Sequence, residues 1–277
     1  MYTNEHRKGI NHNYRKFIVL TYRRSGANYF LELLRSHHQI VAFANLYEKN
    51  KLGFIYPGYP RFDCKKTLEY RDKKPVDFLN KIIFGNYHEN IRTVGFKIIY
   101  EIDQPAVLDY LRSMPDLKVI ILQRQNLLRV HLSDMIAKST NKWHALLKEH
   151  EGWVKESGLD SRIRVIENKS DPILPPDFKI ELDYNKCLDE FLYITRLTEK
   201  FDAFFNPANT LALKYENILD DQTKETKKVL DFLGADEQLL TSRLIRINNR
   251  PLHDVISNYA DLKEKFKGSA WEKFFEE

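Results

Sequence analysis

The side chains best suited to chemistry open near the N-terminus, in Tyr22-Arg23-Arg24-Ser25-Gly26-Ala27-Asn28. Two guanidinium groups, a hydroxyl and a glycine so close together suit an anion with several oxygens, because arginine's planar fork matches phosphate geometry. The flanks strengthen that reading. Phe17 to Leu20 is a continuous apolar run of buried-strand length, and Phe30, Leu31, Leu33 and Leu34 recur at helical spacing. A strand feeding a helix through a short glycine-containing turn leaves the first N–H groups of the helix without helical partners and aims a positive dipole end at the loop. The plain alternative is a tight turn relaxed by Gly26, with solvated arginines. A nucleoside-triphosphate loop of the form GxxxxGK[ST] would add a lysine for the terminal phosphates and a hydroxyl for Mg²⁺. This stretch has neither, so a phosphate ligand bound without metal fits better.

Two further sets of residues repeat the design. Lys118 to Leu122, KVIIL, is the most strand-like run in the chain; a basic turn with Arg124 and an apolar-periodic segment through Ile136 follow, and Ser133 lies nine residues after Arg124. Thr93 to Ile99, TVGFKII, has the β-branched and aromatic content of a buried strand and carries Lys97 towards its end. Taken alone, a strand-end lysine is more often solvated than functional.

The first loop resembles the 5′-phosphosulfate-binding loop of sulfotransferases, YPRSG(T/S) followed by a helix, whose donor is 3′-phosphoadenosine 5′-phosphosulfate. Arg23 stands where that family usually has proline, and Ala27 where it usually has serine or threonine. The resemblance implies that Arg23, Arg24, Ser25, Gly26, Ala27, Asn28 and Tyr29 hold the 5′-phosphosulfate, largely through backbone amides. Arg124 and Ser133 match the family's second signature, which clasps the 3′-phosphate. Lys97 falls where bacterial sulfotransferases of the nodulation-factor and glycolipid type have GFK or GGK, and it is implied to stabilise charge on the transferring group.

Further downstream, LALKYENIL and VLDFLG resemble the family's RYEDL and (V/L)LxFLG, with Tyr215 and Glu216 implied to tie their strand to the phosphate loop. The tail Asn249-Arg250-Pro251-Leu252 resembles the same branch, and Arg250 is either a further phosphate contact or a solvated residue. The bacterial branch often carries a GE(L/I)(F/L) segment whose glutamate deprotonates the acceptor hydroxyl. Here the segment reads Ala44-Asn45-Leu46-Tyr47, and Asn45 can orient a hydroxyl but cannot take its proton. Glu48 is the favoured substitute base. Glu101, His37 and His38 are the other candidates, although a histidine at the end of the first helix is more often a cap or core residue. The resemblance covers nearly the whole chain, with residues 49 to 90 and 140 to 210 the least constrained.

A chain of 277 residues with 43% hydrophobic content can bury one large core, and no linker-like tract divides it, so one domain over 1–277 is expected, with 1–15 flexible. The net charge of +5 comes from abundant charges of both signs, which suits anionic small molecules better than a dedicated nucleic-acid role. Cys64 and Cys187 show no disulfide or zinc spacing, so no metal is expected and a reducing cytoplasm is the default compartment. The first residues lack an apolar signal core, and no run approaches the ~20 apolar residues of a membrane span.

Residues 51 to 75 read as a loop that either borders an acceptor site or is an ordinary surface excursion. Pro172, Pro175 and Pro176 break residues 168 to 182 into another loop, suited to a lid. Cys187 to Phe205 and Thr223 to Leu233 read as helices, the second closed by Gly234.

The expected fold is therefore a three-layer α/β single domain, a mostly parallel sheet flanked by helices on both faces, with ligands at the C-terminal ends of the strands. The expected function is sulfuryl transfer from 3′-phosphoadenosine 5′-phosphosulfate to a hydroxyl of a carbohydrate or glycolipid. The rivals are a non-catalytic nucleotide- or glycan-binding relative and, further off, a P-loop-like kinase.

Overall fold

In the computed structural model, which describes residues 13–48, 64–99, 104–152, 163–168, 171–202 and 205–276, strands and helices alternate along the chain. In order, the principal elements are β1 (Arg15–Thr21), α1 (Ala27–Arg35), β2 (Ile40–Asn45), α2 (Cys64–Lys73), β3 (Thr93–Ile99), α3 (Pro105–Arg112), β4 (Lys118–Gln123) and α4 (Leu127–Thr140). There follow β5 (His144–Leu147), β6 (Ile163–Ile166), α5 (Tyr184–Asp202), β7 (Thr210–Lys214), α6 (Tyr215–Asp220), α7 (Gln222–Leu233), β8 (Leu244–Ile245) and α8 (Tyr259–Phe266). Backbone proximity sorts them into two units, one of residues 1–22, 26–123 and 201–242, the other of residues 23–25, 124–200 and 243–277.

The first unit is built on a five-stranded sheet in the order β2-β3-β1-β4-β7, with every pairing parallel. Phe17, Ile18, Val19 and Leu20 of β1 are all fully buried, as expected of a parallel strand covered on both faces. On one face Phe17, Val19, Ile120 and Leu122 pack with Phe30, Leu31 and Leu34 of α1 and with Val229, Leu230 and Leu233 of α7. On the other, Phe96 meets the rings of Tyr47 and Phe84. Burying each such side chain stabilises by about 1.5–3 kcal/mol relative to exposure, which makes the sheet a stiff platform. Gly95 is required for close packing, since a Cβ there would lie 2.2 Å from the Phe17 carbonyl oxygen on β1. Because the strands are parallel, Thr21, Asn45, Ile99, Gln123 and Lys214 end on one edge of the sheet, where Lys97 also approaches it.

The second unit carries α4, a small mixed sheet in the order β6-β5-β8, most of α5, and α8. Phe191 contacts the rings of Phe266, Trp271 and Phe274 and forms its aromatic centre. The sequence reading places no strand at β5, β6 or β8. Runs of four, four and two residues are too short for an alternation to declare itself.

Two stretches are expected to be loops. Cys64–Lys73, read as part of a loop, is the helix α2; among its described side chains only Arg71 is buried, so it lacks the apolar stripe that betrays a helix. Residues 51–63, the remainder of the proposed acceptor border, lie outside the described residues, as do residues 1–12 and Glu101. The proline-rich stretch is irregular as expected, and its end is hydrogen-bonded to residues 255–258. Ile180 N–H donates to the Val255 carbonyl at 2.8 Å, Ser257 N–H to the Ile180 carbonyl at 3.0 Å, and Asn258 bonds both backbone groups of Leu182.

Candidate functional site

In the first unit the site begins at Gly26, which caps α1 with φ of 89° and ψ of 5°. That left-handed conformation favours glycine, and here sterics add a second demand, since a Cβ would sit 2.2 Å from Cδ2 of Tyr215. The Tyr215 ring thus lies against the loop backbone, as the resemblance implies. Tyr29 meets Tyr215 edge-on at 6.4 Å and donates its hydroxyl to Gln222 Oε1 at 2.7 Å, fixing the first turn of α1 to α7. Burial raises the Tyr29 hydroxyl above its usual range and the nearby Tyr215 adds to the shift, so it stays a neutral donor. No acidic residue occupies that first turn, and the N-cap glycine offers no side-chain acceptor. Helix ends of this kind attract anions.

Lys97 comes to the same end of the sheet on β3, only 8% exposed, and its Nζ donates to Asn28 Oδ1 at 2.6 Å. Asn45 is the register partner of Lys97 across β2 and β3, beside a register shift at Phe43. Its Oδ1 accepts from the Ile99 N–H at 3.4 Å. Glu48 lies three residues on with an exposed side chain, and its carbonyl, like that of Leu46, accepts from the buried Arg71 guanidinium at 3.1 and 2.7 Å. His37 and His38 are structural: the His37 ring bonds the Asp236 carbonyl at 2.8 Å through Nε2, accepts from Gln39 N–H through Nδ1, and stacks on His38. Burial holds His37 below the ordinary histidine pKa.

In the second unit Arg24 adopts a positive φ of 61°. Its Nε and Nη2 both donate to Ser133 Oγ, at 3.0 and 2.8 Å, while Nη1 reaches the Trp143 carbonyl at 3.3 Å. The guanidinium also lies 5.4 Å from the centre of the Trp143 ring. Arg124 Nη1 points at the Arg24 carbonyl, 3.5 Å away. Ser133 is carried by α4, whose start is set by Asn126: its Oδ1 accepts from the Arg129 N–H and its Nδ2 donates to the Phe274 carbonyl. Two guanidinium groups and a hydroxyl are thereby gathered, a donor set that suits a phosphate.

The remaining expected residues fall elsewhere. Ser25 is fully buried and Arg23 is exposed. The Arg250 guanidinium donates to the carbonyls of Pro175, Phe178 and Asp254. The sequence reading missed Asn28 as the partner of Lys97 and Trp143 as a neighbour of Arg24. Neither announces itself by spacing, whereas the Asn126 cap, an asparagine just ahead of an apolar-periodic run, was open to reading. Among the described residues no cluster of His, Cys, Asp or Glu could hold a metal ion, and no helix is long and apolar enough to cross a membrane.

Nodulation protein H of Rhizobium meliloti is 26% identical over 277 residues, covering 95% of each chain, and that of Rhizobium tropici is 25% identical over 269 residues, covering 94% of this chain and 92% of its own. Among solved structures, a sulfotransferase from Alicyclobacillus acidocaldarius aligns with a TM-score of 0.47 at 12% identity, over 91% of this chain and 89% of its own. Mouse sulfotransferase SULT7A1 complexed with PAP aligns with a TM-score of 0.40 at 17% identity, over 83% and 62%. The sulfotransferase domain family matches residues 14–274, nearly the full length, and the chain belongs to that family of transferases.

Proposed function

We propose that this chain moves a sulfuryl group from 3′-phosphoadenosine 5′-phosphosulfate to a hydroxyl of a carbohydrate or glycolipid. The observation that carries the donor assignment is the loop from Arg24 to Gly26, turned by two positive φ angles into the start of a helix whose first turn holds no acid. The residues fit a polyanionic nucleotide in kind, since Arg24, Arg124, Ser133, Lys97 and the opening amides of α1 supply hydrogen-bond donors. When bound, the donor supplies an activated sulfuryl group on a phosphate leaving group.

In the proposed roles, Arg24 and the amides of residues 25–29 hold the 5′-phosphosulfate, with Arg23 at its rim. Lys97 meets charge at the sulfuryl oxygens, and Arg124 with Ser133 holds the 3′-phosphate. Asn45 orients the acceptor hydroxyl, and Glu48 takes its proton. Positioning and cationic stabilisation are the main demands of such a transfer. The acceptor class follows the nodulation-type branch that the motifs resemble.

The chain passes between its two units at residues 22/23, 25/26, 123/124, 200/201 and 242/243, so neither unit is a continuous segment, and we assign a single domain. We assign the chain to a reducing cytoplasm on the ground that its two cysteines are widely spaced in sequence. One observation favours the non-catalytic rival: the oxygen of Asn45, at the family's base position, is already engaged by the Ile99 N–H.

The test is calorimetry with adenosine 3′,5′-bisphosphate against AMP, followed by labelled sulfate transfer to a glycan and lipid panel. A charged contact to the 3′-phosphate is worth about 1.5–3 kcal/mol, so the bisphosphate should bind about 10- to 150-fold more tightly. Equal affinities sink the donor assignment. Tight binding without transfer to any acceptor makes the chain a binder.

A further inference from the structure

Lys97 and Asn28 stand 69 positions apart, yet they meet at 2.6 Å in the first unit, the ammonium from β3 and the amide oxygen from the first turn of α1. A buried ammonium requires acceptors, and a carboxylate is the more common way to meet that need. An amide oxygen fixes the direction of the Nζ–H as well as a carboxylate does, but it contributes no negative charge. Because the ammonium donates, the amide oxygen must face Lys97 and the NH₂ group must face away. This orientation follows from chemistry alone.

We infer that Asn28 is the positioning residue for Lys97: it aims the ammonium across the opening of α1 while adding nothing that cancels its charge. The inference rests on the sulfuryl-transfer reading for its consequence, since a developing anion is met best by a fixed cation whose field has not been neutralised by its own anchor. Asn28 does not touch the reacting atoms in this role. It acts through Lys97.

The deciding variant is Asn28→Asp, nearly isosteric with the parent. A purely structural contact makes aspartate at least as good as asparagine, because a charge-assisted hydrogen bond is the stronger one. Charge-preserving positioning makes aspartate worse than alanine in function. The expected result is a melting temperature equal to or above the parent's, slower acetylation of Lys97 by acetic anhydride as mapped by mass spectrometry, and weaker binding of 3′-phosphoadenosine 5′-phosphosulfate. With donor saturating, kcat should fall about 10- to 100-fold, less than or equal to the loss of a whole transition-state donor, with the acceptor KM nearly unchanged. Asn28→Ala should lose less than Asn28→Asp, and Asn28→Thr, which restores a neutral oxygen, should lose least.

Parental kcat and acetylation rate in Asn28→Asp overturn the inference, as does a greater loss in Asn28→Ala than in Asn28→Asp. Should Asn28→Asp fold poorly, the order of Asn28→Thr over Asn28→Ala in kcat and in Lys97 acetylation decides, and equality of the two variants in both overturns it. Absence of transfer by the parent with every acceptor would count against the sulfuryl-transfer reading. Acetylation and donor affinity would still judge the role of Asn28.

Discussion

Two cations serve the proposed site, and they are held in opposite ways. Lys97 is 8% exposed, rises from the interior strand β3 and donates to an amide oxygen on a helix. Arg24 is half-buried, sits on a loop at φ of 61°, and is held by a serine hydroxyl, a main-chain carbonyl and an indole face. The lysine is a point charge on a rigid platform. The arginine is a broad fork held by several modest contacts, each of which an incoming oxyanion could exchange for a stronger one. A fixed charge is best suited to a transition state, whose geometry tolerates little error. An adaptable fork is best suited to capturing a ligand that arrives in solution.

The contrast is broken most severely at Lys97. Lys97→Met keeps the unbranched stem of the side chain and removes the ammonium, and losing one preorganised donor typically lowers kcat by about 10²- to 10³-fold. Donor affinity should change much less than turnover. The variant should also stay folded, since β3 is held by its parallel neighbours β1 and β2 on either side. Single-turnover transfer measured beside donor titration checks both parts, and an equal loss in Kd and kcat would place Lys97 with the capturing group instead.

Ser133→Ala is expected to act on capture. It removes the acceptor of two Arg24 N–H groups and the proposed 3′-phosphate contact together. The preference for adenosine 3′,5′-bisphosphate over AMP should shrink about tenfold, in line with one charged hydrogen bond, while kcat at saturating donor changes by less than about threefold. Titration of both nucleotides against the parent and the variant reads this directly. An unchanged preference would show that Ser133 merely seats Arg24.

This division also explains what the sequence could disclose. Phe17 to Leu20, TVGFKII and KVIIL were legible because strands buried on both faces are written as unbroken apolar runs, and the loop was legible because Gly26 and its two arginines are neighbours in sequence. Tyr215 was legible through its motif alone; the steric reason, a ring where a Gly26 Cβ would stand, exists only in the folded chain. Asn28 with Lys97 and Arg24 with Ser133 join residues 69 and 109 positions apart, and no local periodicity encodes such pairings. The small sheet of β5, β6 and β8 escaped for a related reason. Its strands are short, and Val165 of β6 is 36% exposed, so local pattern carries little of its stabilisation.

The smallest expected effect sharpens the comparison at the indole. Trp143 holds Arg24 through its carbonyl, which every substitution retains, and through its ring at 5.4 Å, which only aromatic residues retain. A cation–π contact at a partly exposed site is worth about 0.5–1 kcal/mol, so Trp143→Leu should weaken bisphosphate binding about two- to fivefold. The loss is one of preorganisation, since Arg24 must then be ordered by the ligand itself. Trp143→Phe keeps a π face and should stay within about twofold of the parent, because phenylalanine is only somewhat weaker than indole as a partner. Neither variant should alter Lys97-dependent kcat at saturating donor. Calorimetry on the two variants beside Arg24→Ala closes the argument: in an Arg24→Ala background the Trp143→Leu effect should vanish. If it persists undiminished, the indole contributes to binding by a route other than Arg24.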